Sequence, residues 1–502
     1  MSQLKKGAIL SYVTIILTNG IGLVLTPFMI QKLGDSEYGL YTLIGSLIGY
    51  ISILDFGLNN AIVRFVARYR ALEDRKGEEN FLATTMLIYT VIASLILAVG
   101  VFLYYHLETV FTKLTPSELD KAKVMFGILI FNLTITLPGG AFSAIANAYE
   151  HFVFPRMLNI VKYLVRSLLL VAILVWGGDA VSIVVLDTVI NLLVIGINAF
   201  YIFYKLQVKF KLHKVDFTLV REIFNYSFWI FVFAIMGQFQ WQSGQVILGV
   251  VSGTTAVAIY GVGIMLGTYY GAFSTAISSV FLPRATQMTA FEASGEELTL
   301  MMVRIGRFSL ITLLMILGGF LLYGQQFILL WVGKTYQNSW LIALIIMFSY
   351  TLPLVQSFAN SILEAKNTFL FKAVTYITLI IAGTVLGYFL IEYWGVFGLI
   401  SGTTLGWILS QCIMNIYYQK VLKLNIPLFF TELFRKIFLT FVLTVVLGFA
   451  LNFLPGSDWL NLLVKISVYV VQFSFLMFTF GMNQTERDAI KSMLPKFLTR
   501  QS

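Results

Sequence analysis

Fourteen apolar stretches, each long enough to cross a bilayer, occupy this chain of 502 residues almost from end to end. A helix needs about 20 mostly apolar residues to cross the hydrocarbon core of a membrane. The composition agrees, because 58% of the residues are hydrophobic and only 12% are charged. The apolar runs are continuous, whereas barrel strands alternate in polarity, and a helix satisfies its own backbone hydrogen bonds in lipid. The sequence therefore predicts an all-α polytopic membrane protein.

The apolar stretches define spans that we number 1 to 14 in chain order. They cover residues 8–30, 38–60, 82–105, 124–147, 157–176, 180–204, 224–250, 256–282, 306–323, 340–363, 369–392, 395–418, 435–453 and 459–481. The 39 glycines fit close packing between such helices.

Lys and Arg are distributed unevenly between the alternate connections of these spans. Short cytoplasmic loops retain positive charge, so this distribution sets the orientation of the chain. With the N-terminus inside, most of the 34 basic residues fall in cytoplasmic segments. The largest groups follow spans 2, 6 and 14 and comprise Arg64, Arg68, Arg70, Arg75, Lys76, Lys205, Lys209, Lys211, Lys214, Arg221, Arg487, Lys491, Lys496 and Arg500. An even number of crossings then predicts that both termini lie in the cytoplasm.

The composition and motifs of the chain argue against several classes of function. The net charge of +10 follows from topology, because basic loops lie beside anionic lipid headgroups, so we expect no nucleic-acid partner. The single cysteine, Cys412, excludes an intramolecular disulfide, and His106, His151 and His213 lack the spacing of metal ligands. No nucleotide-binding loop or catalytic constellation is present, so we expect no cofactor and no enzyme activity.

A weak internal repeat occurs at an offset of about 215 residues. Residues 138–154 resemble residues 353–369, and in both segments one span ends and the next begins. Residues 33–41 likewise resemble residues 248–260. The shared order and nearly equal offset indicate a duplicated bundle.

The repeat predicts two pseudo-symmetric six-helix lobes of the same orientation, because six crossings return the chain to its starting side. Spans 1 to 6 form the N-terminal lobe, 1–204, and spans 7 to 12 form the C-terminal lobe, 224–418. The basic segment 205–223 is the cytoplasmic linker, and 419–502 holds spans 13 and 14 and a basic cytoplasmic tail. Such a duplication suggests alternating access, in which the lobes rock about a central site. A duplication retained only as a scaffold is the alternative.

Span 5 carries the clearest polar stripe. Lys162 and Arg166 are four residues apart and share a helical face with Asn159. An ionisable group at the centre of a membrane helix costs about 2.5 to 3.5 kcal/mol, so such groups face a cavity or a partner. Facing a cavity, these cations would attract a phosphate or another anion. Alternatively they pair with Asp55 of span 2 or Asp187 of span 6 and hold the first lobe together, and the two interpretations are compatible.

Span 7 carries a stripe of amides, Gln238, Gln242 and Gln245, with Trp241 beside them. Amides donate and accept hydrogen bonds and an aromatic ring covers the apolar face of a sugar, so this face suits a glycan. The alternative is hydrogen bonding between helices, worth about 0.6 kcal/mol per contact in membranes.

Asp55 and Asp187 allow a further interpretation. A carboxylate within a span can bind a coupling cation or relay protons, and pairing between helices is again the alternative.

Short segments of the chain match the motifs of one family of membrane proteins. They are Leu33–Tyr41, Leu54–Leu58, Arg64–Ala67, Tyr149–Phe152, Val257–Tyr260, Phe281–Arg284 and Ser361–Ala365. The first three resemble the N-terminal signature of bacterial polysaccharide flippases of the O-antigen (Wzx) type. Together with the length and the fourteen spans, the resemblance covers the whole chain.

The resemblance implies membership of the superfamily that also holds multidrug and toxin extruders and lipid II flippases. It implies two V-shaped six-helix lobes in the bacterial cytoplasmic (inner) membrane. The implied activity moves an undecaprenyl-diphosphate-linked oligosaccharide from the inner to the outer leaflet for surface polysaccharide synthesis, beside membrane lipids, a polymerase and glycosyltransferases. In this role Lys162 and Arg166 hold the phosphates, Arg64 collects them at the entrance, and Asn159 joins the span 7 amides on the glycan.

Departures from the family pattern bear on the alternatives. The family often has an acidic residue just before the Ile-Leu-Gly of span 7, where this chain has Gln245, which weakens a cation-coupled step there. Span 1 contains neither the acidic residue of drug extruders nor the arginine of lipid II flippases. A cation-coupled extruder of small molecules and a noncatalytic scaffold of a polysaccharide-synthesis complex are the alternative functions.

Overall fold

The computed structural model describes residues 3–214, 216–279, 287–288, 291, 293–366 and 368–493. These residues form helices joined by short turns, and no β-strand occurs within them. Fourteen helices in the described part of the chain are long and apolar enough to cross a membrane, which confirms the predicted architecture. The motif Phe281–Arg284 and the tail residues Lys496 and Arg500 lie outside the described residues.

Contacts between Cα atoms divide the chain into two compact units. Unit 1 is Met1–Gly261 and unit 2 is Val262–Ser502. Unit 1 extends past the first six spans because span 7 packs mainly on span 2. The lobes 1–204 and 224–418 stay a prediction.

The helices of the first eight spans follow one another through short turns. They are Gln3–Leu33 (span 1), Asp35–Ser52 and Leu58–Ala71 (span 2), Arg75–Val110 (span 3), Pro116–Ala148 (span 4), Val153–Val175 (span 5), Ala180–Phe200 (span 6), Phe217–Val251 (span 7) and Thr254–Ser279 (span 8).

The helices of the remaining spans are followed by a short C-terminal helix. They are Gly295–Trp331 (span 9), Gln337–Val355 and Ser357–Ala365 (span 10), Leu370–Trp394 (span 11), Val396–Lys420 (span 12), Ile426–Phe434 and Ile437–Phe449 (span 13), Trp459–Leu476 (span 14) and Gln484–Met493.

The turn between spans 5 and 6 is built from standard helix-end residues. Gly177 follows span 5 with φ of 86°, a left-handed conformation that glycine adopts without a Cβ penalty. Asp179 then caps span 6 by accepting a hydrogen bond from the Ser182 amide at 3.0 Å. Burial raises the pKa of Asp179, but hydrogen bonds from Ser182 and the charge of Lys121 leave that pKa below its ordinary value. The two spans therefore form an antiparallel hairpin.

Span 2 is broken in the middle. Phe56 and Gly57 are both left-handed, with φ of 53° and 69°, and they separate its two helical segments. The Phe56 ring stacks on Phe231 of span 7 with 4.4 Å between ring centroids. The break places Asp55 at the end of a 3-10 turn rather than inside a regular helix.

Glycines allow spans 11 and 12 to pack backbone against backbone. A Cβ atom on Gly402 would lie 2.5 Å from the carbonyl oxygen of Gly383, so no larger residue fits. Large apolar side chains elsewhere point outward, as the solvent of a membrane protein allows; Leu168 and Phe348 are each 72% exposed.

A buried arginine of span 9 connects that helix to three other elements of unit 2. Arg307 of span 9 donates to both carboxylate oxygens of Glu486 in the C-terminal helix, at 2.5 and 3.1 Å. It also donates to the backbone oxygens of Glu432 at 2.7 Å and Gly481 at 3.0 Å. The two charged side chains are only 5% and 3% exposed, so the arrangement is an internal ion pair whose donors are well satisfied.

Removal of one partner leaves the other charge buried and unpaired. We expect Glu486→Ala to lower the free energy of unfolding by about 3 to 5 kcal/mol. Glu222 is the matched control, because its ion pair with Arg68 has side chains that are 54% and 59% exposed. Glu222→Ala should cost at most about 1 kcal/mol. Thermal unfolding of the purified variants in detergent checks both values, and equal shifts would contradict the assignment.

Candidate functional site

The polar residues of span 5 face a matching pair on span 6. Arg166 lies opposite Asp187 and Lys162 lies opposite Asn191, at nearly equal distances from the turn that joins the spans. Both pairs are four residues apart on their own helix, so each pair occupies one helical face. Two polar rungs therefore connect the hairpin inside the membrane.

The outer rung, which is the one nearer the turn between spans 5 and 6, is an ion pair. Arg166 donates through Nε to Asp187 Oδ1 at 2.5 Å and through Nη2 to Asp187 Oδ2 at 2.8 Å. Nη2 also lies 3.3 Å from the hydroxyl oxygen of Tyr41 in span 2. The side chains of Arg166 and Asp187 are 21% and 24% exposed. Bidentate pairing offsets the charge of Arg166, which leaves it less attraction for a ligand anion.

The second rung is not an ion pair. Lys162 Nζ donates to Asn191 Oδ1 at 2.5 Å, and no carboxylate among the described residues forms a salt bridge with it. The Asn191 amide donates in turn to Asn132 Oδ1 of span 4 at 3.2 Å. An ammonium group has three donors, and Lys162 is half-buried. The network therefore orients a positive charge without neutralising it.

Asp55 has a different environment from Asp187. Its Oδ1 accepts a hydrogen bond from the Tyr89 hydroxyl at 3.1 Å, and that hydroxyl also lies 3.2 Å from Asn59 Oδ1. Within the ranges that the structure describes, Asp55 makes no salt bridge. Of the two carboxylates considered as partners for span 5, the structure pairs Arg166 with Asp187 and gives Asp55 a tyrosine.

Arg64 lies in the second segment of span 2, away from the rungs. Its guanidinium carbon sits 4.5 Å from the centroid of the Tyr226 ring, and the side chain is exposed. No salt bridge to Arg64 is found in the described part of the chain. The cation is therefore held by a ring face and remains open to an anion.

The amide stripe lies on the side of span 7 that approaches span 2. Gln238 Oε1 is so close to Gly49 that a Cβ atom there would be 2.9 Å from it, and this buried oxygen accepts no hydrogen bond from a described residue. Gln245 is 7% exposed, whereas Gln242 and Trp241 are half-buried.

The stripe is not brought together with the span 5 residues by the main helix contacts. Span 7 packs mainly on span 2, whereas span 5 packs on spans 1, 4 and 6. Asn159 is exposed and makes no hydrogen bond with a described residue.

Sequence reasoning missed the neutral partners. Asn191 follows Asp187 by four residues, so the same spacing rule that selected Lys162 and Arg166 also selects it. Tyr41 and Tyr89 carry no such signal, because tyrosine is common in membrane helices and only the fold shows which carboxylate its hydroxyl meets.

The N-terminal signature acquires a structural role in the same unit. Glu37 pairs with Lys121 of span 4 at 2.7 Å and accepts a hydrogen bond from the first amide of span 6, that of Ala180, at 3.0 Å. Ser36 donates to Glu118, whose carboxylate also accepts from Thr254 at 2.7 Å. The signature therefore joins the ends of four spans on one side of unit 1.

A model of the family described as polysaccharide biosynthesis protein matches residues 4–289, more than half of the chain. The chain belongs to this family. The match confirms the resemblance to polysaccharide flippases drawn from the sequence motifs. Among curated relatives, this family member is 22% identical to the "Putative O-antigen transporter" of Shigella flexneri, over 78% of this chain and 92% of the relative.

Solved structures show the same fold at low sequence identity. The lipid II flippase MurJ in an inward closed conformation matches with a TM-score of 0.71 and 14% identity, over 96% of this chain and 99% of MurJ. An inward-facing multidrug resistance MATE family transporter of the MOP superfamily matches with a TM-score of 0.65 and 12% identity, over 86% of this chain and 99% of that one. This family member therefore has the fold of that superfamily.

The ion pair of the outer rung makes a stability prediction. Asp187→Met leaves Arg166 half-buried without its counter-ion, so we expect a loss of about 1 to 3 kcal/mol in unfolding free energy. The double variant Arg166→Met, Asp187→Met replaces both charges by unbranched apolar side chains and should regain stability to within about 1 kcal/mol of the parent protein. Thermal unfolding in detergent checks this, and a double variant less stable than the single one would contradict a paired arrangement.

Proposed function

We propose that this protein is a flippase that moves an undecaprenyl-diphosphate-linked oligosaccharide from the cytoplasmic to the outer leaflet by alternating access. The protein serves surface polysaccharide synthesis in the bacterial cytoplasmic membrane, with both termini in the cytoplasm. It is a transporter and performs no covalent chemistry. A polymerase that consumes the flipped repeat unit and glycosyltransferases that build it are its proposed partners.

One observation carries the proposal: Lys162 is a half-buried cation inside a span with an amide, and not a carboxylate, as its partner. A charge in that position is costly unless a ligand repays it during the working cycle. A diphosphate is a ligand of the required sign, and its oxygens accept the hydrogen bonds that Lys162 has left to donate. The chain's family is described as polysaccharide biosynthesis, and the resemblance to polysaccharide flippases implies a lipid-linked substrate that contains this group.

The other candidate residues have different roles in binding the substrate. Arg166 is offset by Asp187, so it chiefly holds span 6 in register and thereby positions Asn191 beside Lys162. Arg64 is exposed at the predicted cytoplasmic end of span 2 and collects the diphosphate from solvent. The amides of span 7 and Asn159 are the glycan contacts, and the Gln238 oxygen, which accepts no hydrogen bond from a described residue, accepts one from a sugar hydroxyl.

The membrane potential supplies the driving force. The cell interior is negative, so outward movement of about two uncompensated negative charges gains roughly 4 to 5 kcal/mol per 100 mV. A cation-coupled cycle is the competing mechanism, and Asp55 is its candidate site because its partner is a neutral hydroxyl.

The proposed function makes a prediction about the charge of Lys162. Asn191→Asp places a carboxylate where the amide now accepts from Lys162, so an ion pair forms and the cation is neutralised. We expect this variant and Lys162→Gln each to lower flipping at least about tenfold, which corresponds to about 1.4 kcal/mol of lost interaction with the diphosphate. The double variant Arg166→Met, Asp187→Met should lose less. Surface polysaccharide in a deletion strain and flipping in proteoliposomes are the measurements.

Asn425→Asp is the matched control for the added carboxylate. Asn425 is exposed and caps the first helix of span 13 through the Leu428 amide at 3.0 Å, a bond that aspartate also accepts. This control should flip as the parent does. Full activity of Asn191→Asp at normal membrane levels would rule out Lys162 as the diphosphate contact.

The proposed function also makes a prediction about the driving force. Proteoliposomes with an imposed potential, negative on the side that corresponds to the cytoplasm, should flip faster than those treated with a potassium ionophore to abolish it. Asp55→Asn should retain this dependence. An unchanged rate without the potential, together with inactivity of Asp55→Asn, would favour coupling to a cation instead.

A further inference from the structure

Unit 2 contains a lysine near the start of span 11 whose surroundings resemble those of Lys162. Lys372 lies in the first turn of span 11, and its Nζ donates to Asn360 Oδ1 of span 10 at 2.7 Å. No salt bridge of Lys372 exists within the described residues, although Glu364 lies at the exposed end of span 10. Like Lys162, it is a half-buried ammonium whose partner is an amide.

Two aromatic rings lie beside this ammonium, and a tyrosine hydroxyl approaches its amide partner. Its Nζ lies 5.6 Å from the ring centroid of Phe369 and 5.3 Å from that of Tyr376. The Tyr418 hydroxyl of span 12 lies 3.4 Å from the Asn360 oxygen that receives the Lys372 bond. Ring faces attract a cation but leave its charge in place.

Buried amides hold these neighbours rigidly. The Tyr376 hydroxyl donates to Gln411, and Gln411 donates to Gln356, whose amide donates to Asn415 at 2.7 Å. Gln356 and Gln411 are 1% and 3% exposed, so this chain of bonds is internal and satisfied. It contains no carboxylate.

The two lysine networks come from corresponding spans of the duplicated sequence. Lys162 belongs to span 5 and its amide partners belong to spans 6 and 4. Lys372 belongs to span 11 and its partners belong to spans 10 and 12. Each trio of spans is the other shifted by six, although Lys162 lies near the middle of its helix and Lys372 in the first turn of its own. In each unit, described by itself, a half-buried lysine of this trio therefore donates to an amide and forms no salt bridge with a described residue.

We propose that Lys372 is a second anion-binding residue, specific for a phosphate or diphosphate group on a lipid. This proposal rests on the proposed flippase function and extends its site to unit 2. A carboxylate in place of the Asn360 amide would fill nearly the same volume and neutralise Lys372, so the amide leaves this half-buried charge available to a ligand. The ammonium keeps donors for phosphate oxygens, and Asn360 and the two rings set their direction.

The test measures binding of farnesyl diphosphate to the purified full-length protein in detergent by calorimetry, with farnesol as the neutral comparator. Asn360→Asp supplies the missing carboxylate while keeping Lys372, and Lys372→Gln removes the charge. We expect each variant to weaken farnesyl diphosphate binding at least about fivefold and to leave farnesol binding unchanged. Lys372→Arg should restore most of the affinity.

Controls separate charge at this position from charge in general. Asn425→Asp makes the same chemical change at a helix cap, and Lys366→Gln removes an exposed lysine near the end of span 10; both should bind as the parent does. If Lys372→Gln does not fold, Asn360→Asp still decides, because an ion pair in place of the amide contact preserves packing.

The outcomes distinguish this proposal from the one on which it rests. Parental affinity in Asn360→Asp, combined with weakened binding in Lys162→Gln, overturns the unit 2 site and leaves the flippase function standing. Equal binding of farnesyl diphosphate and farnesol by the parent protein removes the diphosphate role from both units. Loss of affinity in both Lys162→Gln and Asn360→Asp supports a site in each unit.

Discussion

A charge inside a bilayer is costly unless it meets an opposite charge, other polar groups or a water-filled cavity, and the polar interior of this protein follows from that constraint. Arg166 meets Asp187 and the demand is satisfied within the protein. Lys162, one turn away on the same face, donates to an amide and forms no salt bridge with any residue that the structure describes. The same helix therefore contains a structural cation and a cation with unused binding capacity. The difference between the two cations comes from their partners on span 6. Arg166 meets a charged carboxylate oxygen of Asp187, whereas Lys162 meets a neutral amide oxygen of Asn191.

Hydrophobicity predicted the fold because lipid leaves the backbone one economical solution for an apolar run of sufficient length. The pairing of Arg166 with Asp187 was also within reach, since antiparallel helices joined by a short turn bring residues equidistant from that turn together. Other features depend on contacts that no local pattern reports. Glu486 lies 179 residues from Arg307, and Tyr89 meets Asp55 only because span 2 breaks at Phe56. Lys372 was missed because its place in the first turn of a span resembles an ordinary interfacial lysine.

The signature segments of the first two spans have a structural role as well as a resemblance to a family. Ser36 and Glu37 join helix ends through short polar contacts, whereas the Phe56-Gly57 pair interrupts a helix that would otherwise run straight through the membrane. Left-handed residues are costly outside glycine, so a break that includes Phe56 needs support from its surroundings. Stacking on Phe231 provides part of that support. The motif thus specifies both the polar contacts between helix ends and the break in span 2.

The turn at Gly177 has an evolutionary consequence. One residue added or removed there would rotate span 6 by about 100° relative to span 5, because an α-helix has 3.6 residues per turn. Both polar rungs would then be lost in a single event, even though every residue that forms them was retained. Exposed turns are ordinarily where indels accumulate. Among relatives that keep a lysine and an arginine on span 5, the length of this turn should vary less than that of any other surface loop of unit 1.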